Sequence, residues 1–382
     1  MNYTNSSDMP PLNPCMSGGG DGLDEEKQKI IKWIAYKIFG PSVVAIGLLG
    51  NVLNLIVLTR PTMKGVTYSY LTGLACSDLG VLLFAVGMMI RQINLHSEKS
   101  WAMAFFYSHL EIPMANMFMA SSIFIVVCLT IDRFISVCLP ARFRSAQTSA
   151  RPGMVIFLCY CVAFVISAPL AFLKHVCTMV DPVTNETIYS SPENTKITLK
   201  NAWKLYIITE EIIIRFGPAI ILASLNFLII IRFRQITKKR REILNTGGDA
   251  AGNDQLLLRG ERISKRIYKE EKRLVILLTA IVVLFFITTT PVAFLAIFYS
   301  DKMHKNFAFQ IFRAMANDLE LCNFALNFYI YFLCSKEFRK KFLSFFTILL
   351  PQKAKTNIQS ITLENVAHNK LPSTLKSQGN DV

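Results

Sequence analysis

Seven long apolar stretches, separated by polar connections, dominate the pattern of hydrophobic and polar positions in this chain. Each stretch is long enough to cross a hydrocarbon core as a helix, which takes roughly 20 residues. The pattern therefore predicts an all-α integral membrane protein, a bundle of seven transmembrane helices followed by a short amphipathic eighth helix. We place the spans at residues 36–60, 67–93, 103–138, 153–174, 203–234, 266–299 and 306–333.

The segments outside the seven spans differ from them in composition. We expect residues 1–35 to form an extracellular amino-terminal arm, 36–333 the transmembrane domain, and 351–382 a disordered cytoplasmic tail. Within 334–350, the aromatic residues fall on one helical face and the basic residues elsewhere, which is typical of a helix lying on an anionic leaflet. The apolar face comprises Phe338, Phe342, Phe345 and Phe346.

The third span carries charged and polar residues at helical spacing. Glu111, Ser122 and Arg133 are eleven residues apart, so each step returns to nearly the same helical face, about 20° off. Because a polar stripe is costly in lipid, we expect this face to point toward the other helices. The three residues would then span about 33 Å of the bundle interior, from one membrane surface to the other.

The net charge of +15 has two interpretations. Binding to nucleic acid is one, and the cytoplasmic excess of Lys and Arg in membrane proteins is the other. The basic residues cluster after spans one, three and five, opposite every glycosylation sequon, so nucleic acid is not needed to explain them. We therefore expect a multi-pass protein of the plasma membrane, with its amino terminus outside and its carboxyl terminus in the cytoplasm. The sequons begin at Asn2, Asn5 and Asn185.

Seven of the nine cysteines lie in or at the inner ends of spans, where we interpret them as small apolar residues. Only Cys15 and Cys177 fall on the oxidising side of the membrane. We expect a disulfide between these two, which would join the amino-terminal arm to the second outer loop. Two free thiols are the alternative.

Short motifs occur in order along the spans. They are Gly50-Asn51-Val52, Leu74-Ala75-Cys76-Ser77-Asp78, Leu129-Thr130-Ile131-Asp132-Arg133-Phe134, Pro218, Phe285, Pro291 and Asn327-Phe328-Tyr329-Ile330-Tyr331. Together these motifs resemble the rhodopsin-like (class A) G-protein-coupled receptors over nearly the whole membrane region.

Three positions depart from the family pattern. Ser108 stands where the family has a cysteine at the outer end of span three, and Asn226 and Phe328 stand where it has a tyrosine and a proline. The replacements at Asn226 and Phe328, with the run Leu129 to Phe134, resemble the branch of FMRFamide-type neuropeptide receptors and related orphan receptors.

This resemblance implies roles for particular residues. An inner switch for a heterotrimeric G protein would comprise Asp132, Arg133, Glu271, Asn327 and Tyr331, and a mid-membrane connector would comprise Ile123, Pro218 and Phe285. A sodium ion would be an allosteric modulator at Asp78, Ser122, Asn323 and Asn327, and a hydrogen-bonded cluster with water is the alternative. Arrestin, receptor kinases and membrane lipids are further expected partners. No other cofactor is expected.

The outer half of the bundle is expected to hold the ligand. Several acids there suit a cationic group such as the arginine of an RF-amide peptide. Ala115 takes the position of the aspartate that amine receptors use, and a lipid or other small molecule remains an alternative ligand. The expected ligand-binding residues are Glu111, Ala115, Glu211, Arg215 and Glu320. Local pairing of Glu211 with Arg215, four residues apart, is the simpler interpretation of those two.

Two rival classes of protein are disfavoured. A transporter would more often show repeated halves and broken helices, and we find no internal repeat. A membrane enzyme would need a catalytic motif such as His-Glu-x-x-His, and none of the five histidines has such a partner in sequence. The sequence therefore predicts a receptor and not an enzyme.

Overall fold

Seven helical spans and an eighth helix follow one another along the chain in the computed structural model. It describes residues 30, 33–61, 63, 65–92, 99–139, 151–180, 185–246, 254–298 and 307–349.

Several spans change helical type along their length. Span one is Ile34–Phe39 and Gly40–Leu58; span two is Val66–Gln92; span three is Trp101–Phe105, Phe106–Leu110 and Glu111–Cys138; span four is Arg151–Ser167 and Ala168–Phe172; span five is Asn201–Glu211, Ile212–Phe216 and Gly217–Thr246; span six is Asp254–Phe298; span seven is Phe307–Ala325 and Asn327–Cys334.

Six of these spans contain a stretch that is long and apolar enough to cross a membrane. Span seven differs from them because its first helix, of 19 residues, carries three charged residues, Arg313, Asp318 and Glu320, and the span bends at Leu326. Spans five and six continue beyond their apolar segments, to Thr246 and from Asp254. The helices thus extend past the predicted inner limits of these spans, 234 and 266, because hydropathy marks the apolar part of a helix and not its end.

Three prolines reshape the helices in which they lie. A proline cannot donate the backbone hydrogen bond and its ring crowds the preceding turn, so the helix before it widens. A short π-helical turn ends two or three residues before Pro41, Pro113 and Pro218, and each turn is closed by a bond between residues five apart. These backbone bonds run from Gly40 to Ala35, from Glu111 to Phe106 and from Gly217 to Ile212.

A β-hairpin lies in the connection between spans four and five. Strand β1, Cys177–Val180, pairs antiparallel with β2, Thr187–Ser190, and Cys177 lies opposite Ser190. Asn185, at the turn, is exposed and has a φ of 54°, a conformation that asparagine tolerates better than most residues. Cys177 is disulfide-bonded, while the seven cysteines of the spans are free. Cys15, Asn2 and Asn5 lie outside the described residues, so their roles stay predictions.

Hydrogen bonds join span three to this outer region near Ser108, the position at which the expected family cysteine is replaced. His109 Nδ1 lies 2.7 Å from the carbonyl oxygen of Ala171, and Ser191 Oγ donates to the carbonyl of Ala104 over 3.1 Å. Ser108 itself is buried. These contacts connect span three with the end of span four and with the segment after β2.

The eighth helix, Lys336–Leu349, belongs to a separate compact unit. Ser335 caps it: its Oγ accepts a hydrogen bond from the backbone N–H of Phe338 over 3.2 Å. The helix expected after span seven is therefore present.

Spans one, two and seven approach closely at Gly47. They share an apolar cluster that includes Val44, Leu82 and Phe324. A Cβ atom added to Gly47 would lie 2.8 Å from Ala325 Cβ, 2.9 Å from Ala325 Cα and 2.8 Å from Leu82 Cδ1. Only glycine fits here, because real Cβ atoms do not approach other heavy atoms so closely.

Gly47→Ala should destabilise the protein by roughly 1–3 kcal/mol, because a backbone atom of span seven cannot move aside as a side chain can. Thermal unfolding of the purified protein in detergent measures the change. Gly153→Ala is the matched control, since nothing lies within 4 Å of a Cβ at that position. An equal melting temperature for the Gly47 variant and the wild type would contradict the close approach.

Candidate functional site

A buried carboxylate lies at mid-depth, where three spans meet. Asp78 on span two is fully buried. Ser122 Oγ donates to its Oδ1 over 2.7 Å, and Asn327 Nδ2 donates to its Oδ2 over 2.6 Å. Asn323 is buried on span seven as well. Each carboxylate oxygen thus has a donor from another span, which offsets part of the cost of burying it.

Asn51 connects span one to the bend of span seven. Its Nδ2 donates to the carbonyl of Phe324 over 2.8 Å and to that of Gly47 over 3.0 Å. The bend at Leu326 therefore forms although Phe328 stands where the family resemblance led us to expect proline. Tyr331, farther along span seven, is also buried.

At the inner end of span three, Arg133 pairs with its neighbour. Its Nη2 lies 2.9 Å from Asp132 Oδ2, and both side chains are largely buried. Arg133 Nε has no partner among the described residues. The side chain of Glu271 lies outside them, so its expected pairing with Arg133 stays a prediction. The three connector residues, Ile123, Pro218 and Phe285, are all buried in the bundle.

In the outer half, Glu111 is paired with an arginine of span two. Arg91 Nε lies 3.0 Å and its Nη2 2.9 Å from Glu111 Oε2. Glu111 is fully buried, whereas a quarter of the Arg91 side chain remains exposed. The other oxygen, Glu111 Oε1, has no hydrogen-bond partner among the described residues. Glu111 is thus buried in the bundle, as expected, but its charge is already paired with that of Arg91.

Lys174, just beyond the end of span four, adds a third charge near this pair. Burial lowers the pKa of its ammonium group to about 8; repulsion from Arg91 acts in the same direction, and Glu111 and Glu193 oppose it. Sequence reasoning missed both Arg91 and Lys174. Arg91 could have been found, because it lies near the outer end of span two, at the depth predicted for Glu111, and has the opposite charge. Lys174 could not, because its position beside the pair depends on how the chain folds after span four.

A second ionic cluster joins spans five and seven. Arg215 Nε and Nη2 each lie 3.0 Å from Glu320 Oε1, while Nη1 is bonded to Glu211. Arg215 Nη2 also lies 3.6 Å from the sulfur of Met119 on span three. We call Glu211, Arg215 and Glu320 the ionic triad. Ala115 is buried on span three but takes no part in it. The local pairing of Glu211 with Arg215 is therefore present, together with a long-range pair that the sequence did not predict.

The comparison with protein families identifies this arrangement. The family model of seven-transmembrane receptors of the rhodopsin family matches residues 50–331. The chain belongs to the rhodopsin family of seven-transmembrane receptors. Two probable G-protein coupled receptors of Caenorhabditis elegans are 29% and 30% identical to this receptor, each over 332 residues; the matches cover 85% and 82% of its chain and 78% and 69% of theirs. The FMRFamide receptor of Drosophila melanogaster is 26% identical over 335 residues, 84% of this chain and 55% of that receptor.

Family membership decides between the classes of protein considered above. The chain is a multi-pass membrane receptor that responds to an extracellular ligand and couples to a G protein, and it is not an enzyme. The expected subfamily resemblance is confirmed by the similarity to the Drosophila receptor.

The Arg91–Glu111 pair predicts a clear pattern of stability. Arg91→Gln and Glu111→Gln should each lower the melting temperature of the receptor, and the double variant should lose less than the sum of the two. We expect a coupling of roughly 1–3 kcal/mol, because one partner is fully buried and the other partly exposed. Thermal unfolding of all four proteins measures it. Additive effects would mean that the two charges do not interact.

Proposed function

We propose that this receptor is activated by an extracellular neuropeptide that carries a cationic group, such as the arginine of an RF-amide peptide. The observation that carries the proposal is the excess of acids inside the outer half of the bundle. Glu111, Glu210 and Glu320 are buried and Glu211 is half-buried, whereas the bases of the same region are Arg91, Arg215 and Lys174, so the acids outnumber the bases. A cationic ligand group would reduce this excess of negative charge. The relative named for FMRFamide supports a peptide.

A lipid or other apolar small molecule is the second candidate ligand. An apolar cavity of about 180 Å³ lies between spans five and six, lined by Phe216, Phe285 and Phe294 among others. Thr290 and Phe294 are exposed at its rim, on the outer surface of the bundle. A hydrophobic group could enter it from the bilayer.

In this proposal the amino terminus is extracellular and the receptor lies in the plasma membrane. The basic residues after spans one, three and five and the exposed sequon residue Asn185 support that orientation. Binding outside would shift a two-state bundle and open its inner face to the G protein. Arg133, Asp132 and Glu271 would act there as the switch, with Asn327 and Tyr331 on span seven. Arrestin, receptor kinases and membrane lipids are proposed further partners.

A panel of amidated peptides tests the ligand class. Cells expressing the receptor should activate a G protein in response to an arginine-containing peptide. Replacing that arginine by citrulline, which is neutral and nearly isosteric, should reduce potency about 10- to 100-fold, the value of a charge-assisted hydrogen bond. Nucleotide exchange on the G protein measures potency.

Receptor variants identify the acid that binds the cationic group of the peptide. Glu111→Gln or Glu320→Gln should reduce the preference for arginine over citrulline. Glu186→Gln is the matched control, because that carboxylate lies on the exposed hairpin and pairs with Lys99. Equal potency of the arginine and citrulline peptides would contradict a cationic ligand. Activation by lipids and by no peptide in the panel would favour the second candidate.

We also propose sodium as an allosteric modulator at mid-depth. The Asp78 carboxylate and the Ser122 hydroxyl supply oxygen atoms that suit a hard cation, and Asn323 is buried on span seven. Asn327 presents its amide nitrogen to Asp78 and would orient the carboxylate. The described residues form no cluster of three or more His, Cys, Asp or Glu side chains that could hold another metal.

Sodium should therefore raise the melting temperature of the ligand-free receptor above its value in choline chloride at equal ionic strength, because an ion that binds only the folded state stabilises it. Asp78→Asn should abolish the difference. The same sodium effect in both proteins would leave a hydrogen-bonded cluster as the role of Asp78.

A further inference from the structure

The ionic triad crosses the bundle between two spans that do not pack closely against each other over the part of the chain that the structure describes. Span five packs mainly against spans three and six, and span seven against spans one, two and six. Arg215 nevertheless reaches Glu320 with two nitrogen atoms at 3.0 Å. The pair therefore runs through the bundle interior, and Met119 on span three lies against the guanidinium.

A widened turn brings Arg215 to this position. Arg215 lies within the π-helical turn Ile212–Phe216 that precedes Pro218. Such a turn shifts the residues before it around the helix axis relative to a straight α-helix, and π-turns often occur at functional sites. About nine-tenths of the Arg215 side chain is buried, and the same holds for Glu320.

The charges of the triad do not cancel. Two carboxylates face one guanidinium, and Glu211 Oε2 has no hydrogen-bond partner among the described residues. Glu210, also buried, lies close enough to interact electrostatically with both Glu211 and Arg215, and its Oε1 is likewise without a partner there. The Arg91–Glu111 pair, in contrast, has one charge of each sign, and the further charge near it, that of Lys174, is positive. A buried excess of negative charge favours one further cation at the triad.

We infer that the triad is a guanidinium-binding site which the resting receptor fills with its own Arg215, tying span five to span seven. A soluble cation of the same shape competes for Glu320, while Arg215 keeps Glu211. Each carboxylate then has its own cation, and the two spans are no longer joined. The inference deepens the proposed function by assigning the ligand cation to Glu320, and the resting tie itself needs no peptide.

The first test measures signalling without ligand. Arg215→Ala and Glu320→Gln should each raise basal nucleotide exchange on the G protein, by about two- to tenfold at matched surface expression, because either change frees span seven from span five. Glu186→Gln, which removes an exposed carboxylate of the hairpin, should leave it unchanged. Basal exchange at the wild-type level in both triad variants would overturn the tie.

The second test restores the missing group. Methylguanidinium chloride at millimolar concentration should lower the basal exchange of Arg215→Ala and raise its melting temperature in detergent, whereas sodium chloride at equal ionic strength should do neither. Glu320→Gln should not respond. Absence of any methylguanidinium effect on Arg215→Ala would overturn the guanidinium site.

A milder variant covers the case in which Arg215→Ala does not reach the surface. Arg215→Lys keeps the charge but loses the planar pair of donors, so we expect basal exchange between the wild type and Glu320→Gln. A value equal to the wild type would again overturn the tie.

The melting-temperature measurement needs neither a peptide nor a G protein, so a failed peptide panel would leave it unaffected. Conversely, peptide activation without methylguanidinium rescue would remove this inference alone.

Discussion

Charge burial inside a bundle that crosses hydrocarbon governs the interior of this receptor. A carboxylate with no partner would be costly there, and three of the buried acids lie against donors from other spans. Asp78 accepts hydrogen bonds from Ser122 and Asn327, Glu111 pairs with Arg91, and Glu320 pairs with Arg215. Because apolar side chains associate weakly with one another in lipid, such polar contacts specify which helices meet and at what depth.

Prolines affect the direction of the same charged side chains through the backbone of each helix. Two of the three π-helical turns adjoin or contain the charged residues of the outer half: one closes at Glu111 and the other includes Arg215. In a straight α-helix these side chains would point in other directions relative to the residues that precede them. The position of a proline two or three residues farther along the sequence therefore helps decide whether a charge faces the interior, and this links a backbone constraint to the chemistry of the site.

The sequence predicted the fold well because long apolar runs and family motifs are local features. The shared face of Glu111, Ser122 and Arg133 follows from helical period alone, and Glu111 and Ser122 are indeed buried. The partners of the outer acids could not be predicted, because the sequence of a helix does not show how that helix is rotated relative to another. Arg91 and Glu111 are 20 residues apart, and Arg215 and Glu320 are 105 apart. Only packing shows which acid meets which base.

Span seven is held differently above and below its bend. Above Leu326, Glu320 contacts Arg215 of span five; at the bend, the carbonyl of Phe324 accepts a hydrogen bond from Asn51 of span one; below it, Asn327 donates to Asp78 of span two. A family proline would have favoured a bend here, because proline lacks the backbone donor and crowds the preceding turn, whereas in this receptor a side-chain hydrogen bond supports the bend. Hinges are commonly residues at the ends of helices, and Leu326 lies between two of them. One span therefore carries both the contact of Glu320 with Arg215 and the hydrogen bond of Asn327 to Asp78, which connects the outer acids to the inner half of the receptor.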